Sequence, residues 1–414
     1  METPPTPSEA HAEIAGPGAR LRTVLLLGGL VAVGPLTTDM YLPALPAVGR
    51  QLDASTASVQ LTLTATLVGL AAGQLVAGPM SDALGRRRPL FAGLGVHIVA
   101  SALCVVAPNL VVLDVLRVLQ GLGAATSTVV AMAIVRDLYE GSAAAGLLSR
   151  LMLVMGVAPI LAPTLGGAVL TATSWRGVFA VLTVLSALIT AVTARSLSET
   201  LPSRRRRSGG LRQSTRDYAT LLRDRQFVGL VLVAGLAMST IFAFVAGSPF
   251  VFQEHFGLDE QEFAVTFGAG ALWVVWATQL NVRVLRHRTP MQVLVRAAVL
   301  ATTAGVLLVV CGATGFGGMA GVLVPLWLTL FATGFAMPNA PALALSRHGR
   351  IAGTSAALLG AVQFGVGALV APLVGVIGTG PAAMASVITG GLVVLLAVLL
   401  FVVRPGQQDE PAGL

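Results

Sequence analysis

Charge is what this chain has least of. Only 11% of its 414 residues are charged and the mean hydropathy is +0.84, where soluble domains carry about 25% charged residues. The deficit runs the whole length, which excludes a soluble globular fold and points to a protein that crosses a membrane many times. Lysine is missing altogether, so all 26 basic residues are arginine; a bias in the coding sequence accounts for that. A phosphate-cradling Gly-rich loop needs its lysine, so ATP hydrolysis has no support. The two cysteines, Cys104 and Cys311, fall far apart in apolar runs and give neither a disulfide framework nor metal-ligand spacing. No nucleophile–base spacing is present, so neither an enzyme, a cofactor nor a metal is expected. Aromatics make up 5%. Gly, Ala, Val and Leu fill their place, and small residues let membrane helices approach closely.

A span needs about 20 apolar residues. Twelve runs qualify: 22–46, 57–80, 88–108, 110–135, 146–171, 176–196, 226–252, 263–285, 291–312, 317–341, 351–376 and 381–403. Arginines gather in alternate loops: Arg86, Arg87 and Arg88; Arg136 and Arg150; Arg204 to Arg207 with Arg212, Arg216, Arg223 and Arg225; Arg286 and Arg288; Arg347 and Arg350. The opposite side has Arg50, Arg176 and an acidic loop with Glu254, Asp259, Glu260 and Glu262. The positive-inside rule places the Arg-rich side, and with it both termini, in the cytoplasm. The expected layout is a disordered tail over 1–21, six spans over 22–196, an Arg-rich linker over 197–225, six spans over 226–403 and a tail over 404–414. The linker arginines suit anionic lipid headgroups rather than nucleic acid.

Three stretches carry motifs. Gly78-Pro-Met-Ser-Asp-Ala-Leu-Gly-Arg-Arg-Arg-Pro-Leu90 joins spans 2 and 3. Gly85 permits a tight turn, and Asp82 can cap a helix or pair with a nearby arginine. Leu113 to Ala125 in span 4 holds Arg117, Gln120 and Gly121, with Asp114 one turn away as a local partner for Arg117. Gly156 to Gly167 in span 5 holds Ala162, Pro163, Gly166 and Gly167, which kink a helix and allow close packing. The first resembles the loop signature of the major facilitator superfamily, the second its span 4 motif, and the third the antiporter signature of its drug:proton exchangers. Asp39-Met-Tyr-Leu-Pro-Ala-Leu-Pro46, Arg136-Asp-Leu-Tyr139 and Ala246-Gly-Ser-Pro-Phe-Val251 are similar to the bicyclomycin-resistance (Bcr/CflA) subfamily of twelve-span drug:proton antiporters. The resemblance covers 22–403. It implies an all-α integral membrane protein of two pseudo-symmetric six-helix bundles. It also implies a latch between the halves built on Gly78, Asp82, Gly85, Arg86 and Arg87, with Arg136, Asp137 and the start of span 11 near Ile351 as partners. The matching loop of the second half has lost its acid and its glycines.

Asp39 lies inside the apolar run Leu21–Val48. An ionisable group within a span is a functional-site candidate. Counted from the span ends, Asp39 and Arg117 both lie about 10 Å below the outer surface; the resemblance implies that spans 1 and 4 both line the first half of a central cavity, so a direct or water-bridged pair between them is expected. It would serve either as a proton-coupling site or as a fixed tie between spans 1 and 4; snorkelling to the outer surface is the other fate open to Arg117. The second half offers no deep carboxylate. Its candidates for cargo contact are Phe242, Trp273, Trp276, Phe335, Asn339 and Gln363, with Tyr41, Gln120 and Met155 from the first half; an apolar wall with few polar groups suits varied lipophilic cargo. The expected function is proton-coupled efflux of drug-like molecules by a monomer in a bacterial cytoplasmic membrane, with small-molecule cargo, protons and the bilayer as partners and no nucleic acid. An exporter of one endogenous metabolite or self-made antibiotic, a proton symporter for uptake, and a membrane receptor or scaffold are the alternatives.

Overall fold

A computed structural model describes residues 17–206, 210–348 and 351–405. The expected disorder over the first residues, the far C-terminal tail, Arg207 and Arg350 fall outside the described residues. Among the described residues helix dominates, and twelve helical spans are long and apolar enough to cross a bilayer. They are Arg22–Gln51, Thr56–Leu84, Arg87–Val105, Leu110–Leu138, Gly146–Ala172, Trp175–Ser196, Arg225–His255, Glu260–Val284, Pro290–Thr314, Gly318–Ser346, Ala352–Ile377 and Pro381–Val403, numbered spans 1 to 12 below. With no water in the bilayer core, helices satisfy every backbone group within one segment. Side chains set their ends: Ser55, Asn109 and Ser174 each accept a backbone N–H at a helix start, and Asp259 with Glu262 closes a capping box before span 8.

Spans 1–6 form one bundle and spans 7–12 the other. Span 2 packs on span 4, span 4 on span 3, and span 1 on span 5; span 9 packs on spans 10 and 12, and span 7 on span 11. Between the bundles, span 2 packs on span 11 and span 8 on span 5. Shifting each number by half the total turns one contact into the other, the mark of a pseudo-two-fold relation. Three hydrogen bonds tie the bundles at the acidic-loop end: Gln253 Nε2 to Pro43 O (3.4 Å), Gln60 Nε2 to Ala246 O (3.0 Å) and Gly375 N to Gln60 Oε1 (2.8 Å). At the Arg-rich end the linker forms a helix, Gly210–Arg223. It meets spans 2, 7 and 11, and Tyr218 Oη donates to Leu75 O (3.2 Å).

Span 1 is not continuous. Its first helix, Pro17–Asp39, stops at Asp39; a short 3-10 turn, Leu42–Ala44, and a second helix, Leu45–Gln51, follow. Pro43 stands four residues after Asp39. It has no N–H to offer the Asp39 carbonyl, and its ring crowds that carbonyl, so the helix breaks at the acid.

Candidate functional site

Asp39 is 6% exposed. Its Oδ1 accepts a hydrogen bond from Thr38 Oγ1 (2.9 Å), and the same hydroxyl lies 3.2 Å from Pro35 O and 3.4 Å from Gly34 O. A hydroxyl has one proton for these three acceptors. Asp39 and Arg117 form no direct ion pair; ion pairs among the described residues include Arg86–Asp82, Arg86–Asp137, Arg347–Asp224 and His348–Asp224.

Arg117 is fully buried and does not snorkel. Its Nη1 donates to Thr37 O (3.0 Å) and to Gln120 Oε1 (2.8 Å), and its Nε to Thr62 O (3.4 Å). The guanidinium lies over the rings of Tyr41 (4.7 Å) and Phe179 (5.7 Å). Thr37 O is one of the last-turn carbonyls that the break leaves without a helical donor, and a cation at a helix C-terminus is favoured. Arg117 therefore caps the broken end of span 1 rather than pairing with its acid. Thr37 and Asp39 are two residues apart, 200° around a helix at 3.6 residues per turn, so equal depth does not bring the two side chains together. The network continues through Gln120 Nε2 to Ser101 Oγ (2.7 Å), Ser101 Oγ to His97 O (2.7 Å), and His97 Nδ1 facing Gln120 O (3.1 Å). Thr62, His97 and Ser101 went unnoticed in the sequence because single polar residues in apolar runs have no spacing to mark them. Asp114, the expected partner of Arg117, forms no ion pair with it, and its Oδ1 is buried without a hydrogen-bond partner.

The span 5 motif meets this break. A Cβ on Gly166 would lie 2.0 Å from Met40 O, the residue after Asp39, and a Cβ on Gly167 would lie 3.1 Å from Glu260 O at the start of span 8. Ala162 and Pro163 are buried. One pair of glycines thus brings span 5 against span 1 on one side and against the second bundle on the other.

At the Arg-rich end the latch residues converge within the first bundle. Arg86 donates to Asp82 Oδ1 (2.6 Å), to Ser81 Oγ (2.7 Å) and, in a fork, to both oxygens of Asp137 (2.7 and 3.1 Å). Asp82 pairs and does not cap. The linker supplies the cap: Glu199 accepts from the backbone N–H groups of Arg86 (2.8 Å) and Arg87 (3.2 Å) at the start of span 3. Burial alone would raise the Glu199 carboxyl, but N–H groups of Arg86, Leu201 and Arg87 and the charge of Arg206 outweigh it and hold it below the ordinary value of 4.5. Gly85 turns at φ +91°, with Glu199 packed where a Cβ would stand. Arg87 also lies over the Phe91 ring at 5.4 Å. Arg136 is exposed, and Gly78 has only Val129 at 4.0 Å from a Cβ. The expected tie across the halves, near Ile351, is not made by Arg86, because Asp82 and Asp137 already occupy its fork. The second bundle builds its own cluster from the linker: Asp224 accepts from Arg347 Nε (3.2 Å) and lies 3.0 Å from His348 Nε2 while capping span 7.

The residues expected to touch cargo make the following local contacts. Tyr41 and Gln120 are buried in the Arg117 network. Trp273 and Trp276 cluster with Trp327, Phe331 and Phe335 at ring separations of 5.2 to 6.3 Å. Trp276 is 54% exposed and shares a helical face with exposed Val265 and Leu272, an apolar stripe that suits lipid. Phe242 is buried beside Phe364, ring to ring 5.9 Å, over Gly367. Asn339 Nδ2 bonds to Asn281 Oδ1 at 2.8 Å. Met155 and Gln363 are half-buried on spans 5 and 11.

Twelve spans in two bundles, with a helix broken at a buried acid and glycines where the bundles meet, define a membrane transporter of small molecules rather than an enzyme. The Major Facilitator Superfamily model matches residues 27–372, and the chain belongs to that superfamily. It is 35% identical over 362 residues to a Bacillus subtilis protein named as an uncharacterized MFS-type transporter, YdgK, covering 86% of this chain and 89% of that one. It is 28% identical to a bicyclomycin resistance protein homolog of Haemophilus influenzae, over 94% of this chain and 98% of that one. Among solved structures, a bacterial homolog of the human lysosomal transporter Spinster, crystallised inward-facing and unoccupied, superimposes with a TM-score of 0.74 at 15% identity, covering 97% of this chain and all of that one; it shares the fold.

Proposed function

We propose that the protein is a proton-coupled exporter of drug-like molecules. It works as a monomer in a bacterial cytoplasmic membrane, with the Arg-rich end inside and the acidic-loop end outside. The observation that carries the reading is the place of Asp39: a buried carboxyl without a cationic partner, at a helix break, bonded to a hydroxyl that suits both of its protonation states. As an acid, Asp39 donates to Thr38, which donates to Pro35 O. As a carboxylate, it receives the Thr38 proton instead. Facing inward, Asp39 releases its proton as cargo enters; facing outward, it takes a proton from outside as cargo leaves. The hydrogen bonds at the acidic-loop end suit the inward-facing state. The Gly166 and Gly167 contacts support a route by which a change at the Asp39 break moves the bundle boundary, and the Haemophilus influenzae relative, named for bicyclomycin resistance, supports drug-like cargo.

The test is a resistance profile in an efflux-deficient host overproducing the wild type or Asp39→Asn. The expected result is raised tolerance to several chemically unlike drugs with the wild type and none with the variant, at equal protein in the membrane. Tolerance to a single compound would point instead to a dedicated exporter. Equal tolerance from the two proteins would remove Asp39 from the coupling step.

A further inference from the structure

The buried polar atoms without a hydrogen-bond partner among the described residues of the first bundle include Thr64 Oγ1, His97 Nε2 and two on span 4. Arg117 Nη2 is buried without a hydrogen-bond partner, although Nη1 of the same guanidinium serves two acceptors. Asp114 Oδ1 is likewise buried and unpartnered. They belong to residues i and i+3 of span 4, neighbours on one helix face. A buried donor and a buried acceptor of opposite charge, adjacent yet unpaired, are each costly to leave unsatisfied. Asp114 stands one turn inside the helix start at Leu110, about 6 Å from the acidic-loop end.

We propose that Asp114 is a second proton-exchanging carboxyl, whose ionised form draws Arg117 away from the Thr37 carbonyl. With Asp114 protonated, its attraction for the guanidinium is gone and Arg117 keeps the arrangement seen here, capping the first helix of span 1. Loss of that proton to water at the acidic-loop end leaves a carboxylate, which takes Nη2 and then Nη1. Arg117 keeps its own protons throughout, so the only covalent bond broken is the Asp114 O–H, whose proton passes to water. Thr37 O then loses its donor, and the break that carries Asp39 loses its brace. Besides Asp114, the titratable groups whose charge reaches Arg117 are Tyr41, Cys104 and His97. The imidazole offers no carboxyl, and its Nδ1 is held against Gln120 O. The inference rests on Asp39 as the coupling acid and adds to it a residue that positions Arg117.

Infrared difference spectroscopy of the purified full-length protein, titrated with acid, reads protonated carboxyls directly. The wild type is expected to show two buried titrating components, Asp114→Asn one and Asp39→Asn the other. Asp114→Glu is expected to keep two, one at the glutamic acid position; it carries the test if Asp114→Asn fails to fold. Removal of a merely structural carboxyl would lower stability without deleting a titrating band. An Asp114→Asn or Asp114→Glu spectrum that retains the wild-type pair of components overturns the proposal. Failure of the Asp39 reading is distinguished by flux: pH-driven ethidium export by Asp39→Asn proteoliposomes would sink that reading whatever Asp114 shows.

Discussion

Asp39 and Arg117 stand at similar depth and yet do not meet. Depth can be counted along a helix, so both residues were legible as buried charges from their distance to the span ends. Rotation about the helix cannot be counted across a break, and Pro43 makes the break at Asp39 itself. Arg117 instead satisfies three separate acceptors, Thr37 O, Thr62 O and Gln120 Oε1. A lysine has no fork with which to span them. Arg117→Lys is therefore expected to lose one or more charge-assisted hydrogen bonds, about 1.5–3 kcal/mol each. Thermal unfolding in detergent should show the lower Tm, whereas an unchanged Tm would mean that the cap on span 1 contributes nothing. The residues expected to touch cargo were chosen by type and position alone, and type does not tell a cavity from a lipid-facing stripe; Trp276 shows the difference.

Individual elements divide into those that sequence marks and those it leaves unmarked. The spans were legible from their apolar runs, and their ends agree with the structure to within a few residues, except where span 1 runs on past its break to Gln51 and span 10 runs on to Ser346. The glycines of span 5 were legible as a motif, but the surface they meet was not. Gly166→Val is expected to push span 5 off the Met40 carbonyl and abolish transport while the protein remains inserted. Gly146→Ala, with nothing within 4 Å of its Cβ, serves as the control and should transport normally; equal activity of the two variants would sever span 5 from the Asp39 break. The Glu199 cap was invisible because it lies more than a hundred residues from Arg86 in a loop without periodicity. Its carboxyl sits below the ordinary glutamate value, so its contribution is whole above about pH 4.5 and is lost as the pH falls through the folded-state value. Amide exchange should report it. Arg86 and Arg87 are expected to lose protection in Glu199→Gln at neutral pH, and in the wild type only on acidification below that point. Identical protection in the two proteins at neutral pH would exclude the cap.

Across the whole molecule, hydrogen bonds of Gln253, Gln60 and Gly375 tie the two bundles at the acidic-loop end. Gln60 both donates to span 7 and accepts from span 11. Its replacement by alanine removes two hydrogen bonds, about 1–3 kcal/mol together, enough to shift a two-state balance roughly 5–150-fold. Pulsed EPR distances between labels at the acidic-loop ends of spans 2 and 11 should lengthen in Gln60→Ala; distances equal to those of the wild type would place the closure elsewhere. The pairing of span 2 with span 11, and of span 5 with span 8, was not read from the sequence, and neither was Gln60, since a lone polar residue in span 2 has many possible partners. The central claim is that Asp39 is the carboxyl that couples export to protons. Its most direct test is ethidium flux in proteoliposomes under an imposed pH gradient, wild type against Asp39→Asn. The wild type should move ethidium against its gradient with protons counter-moving, and the variant should do neither while still exchanging ethidium across the membrane at equal pH. Uphill, proton-driven transport by Asp39→Asn would contradict the account.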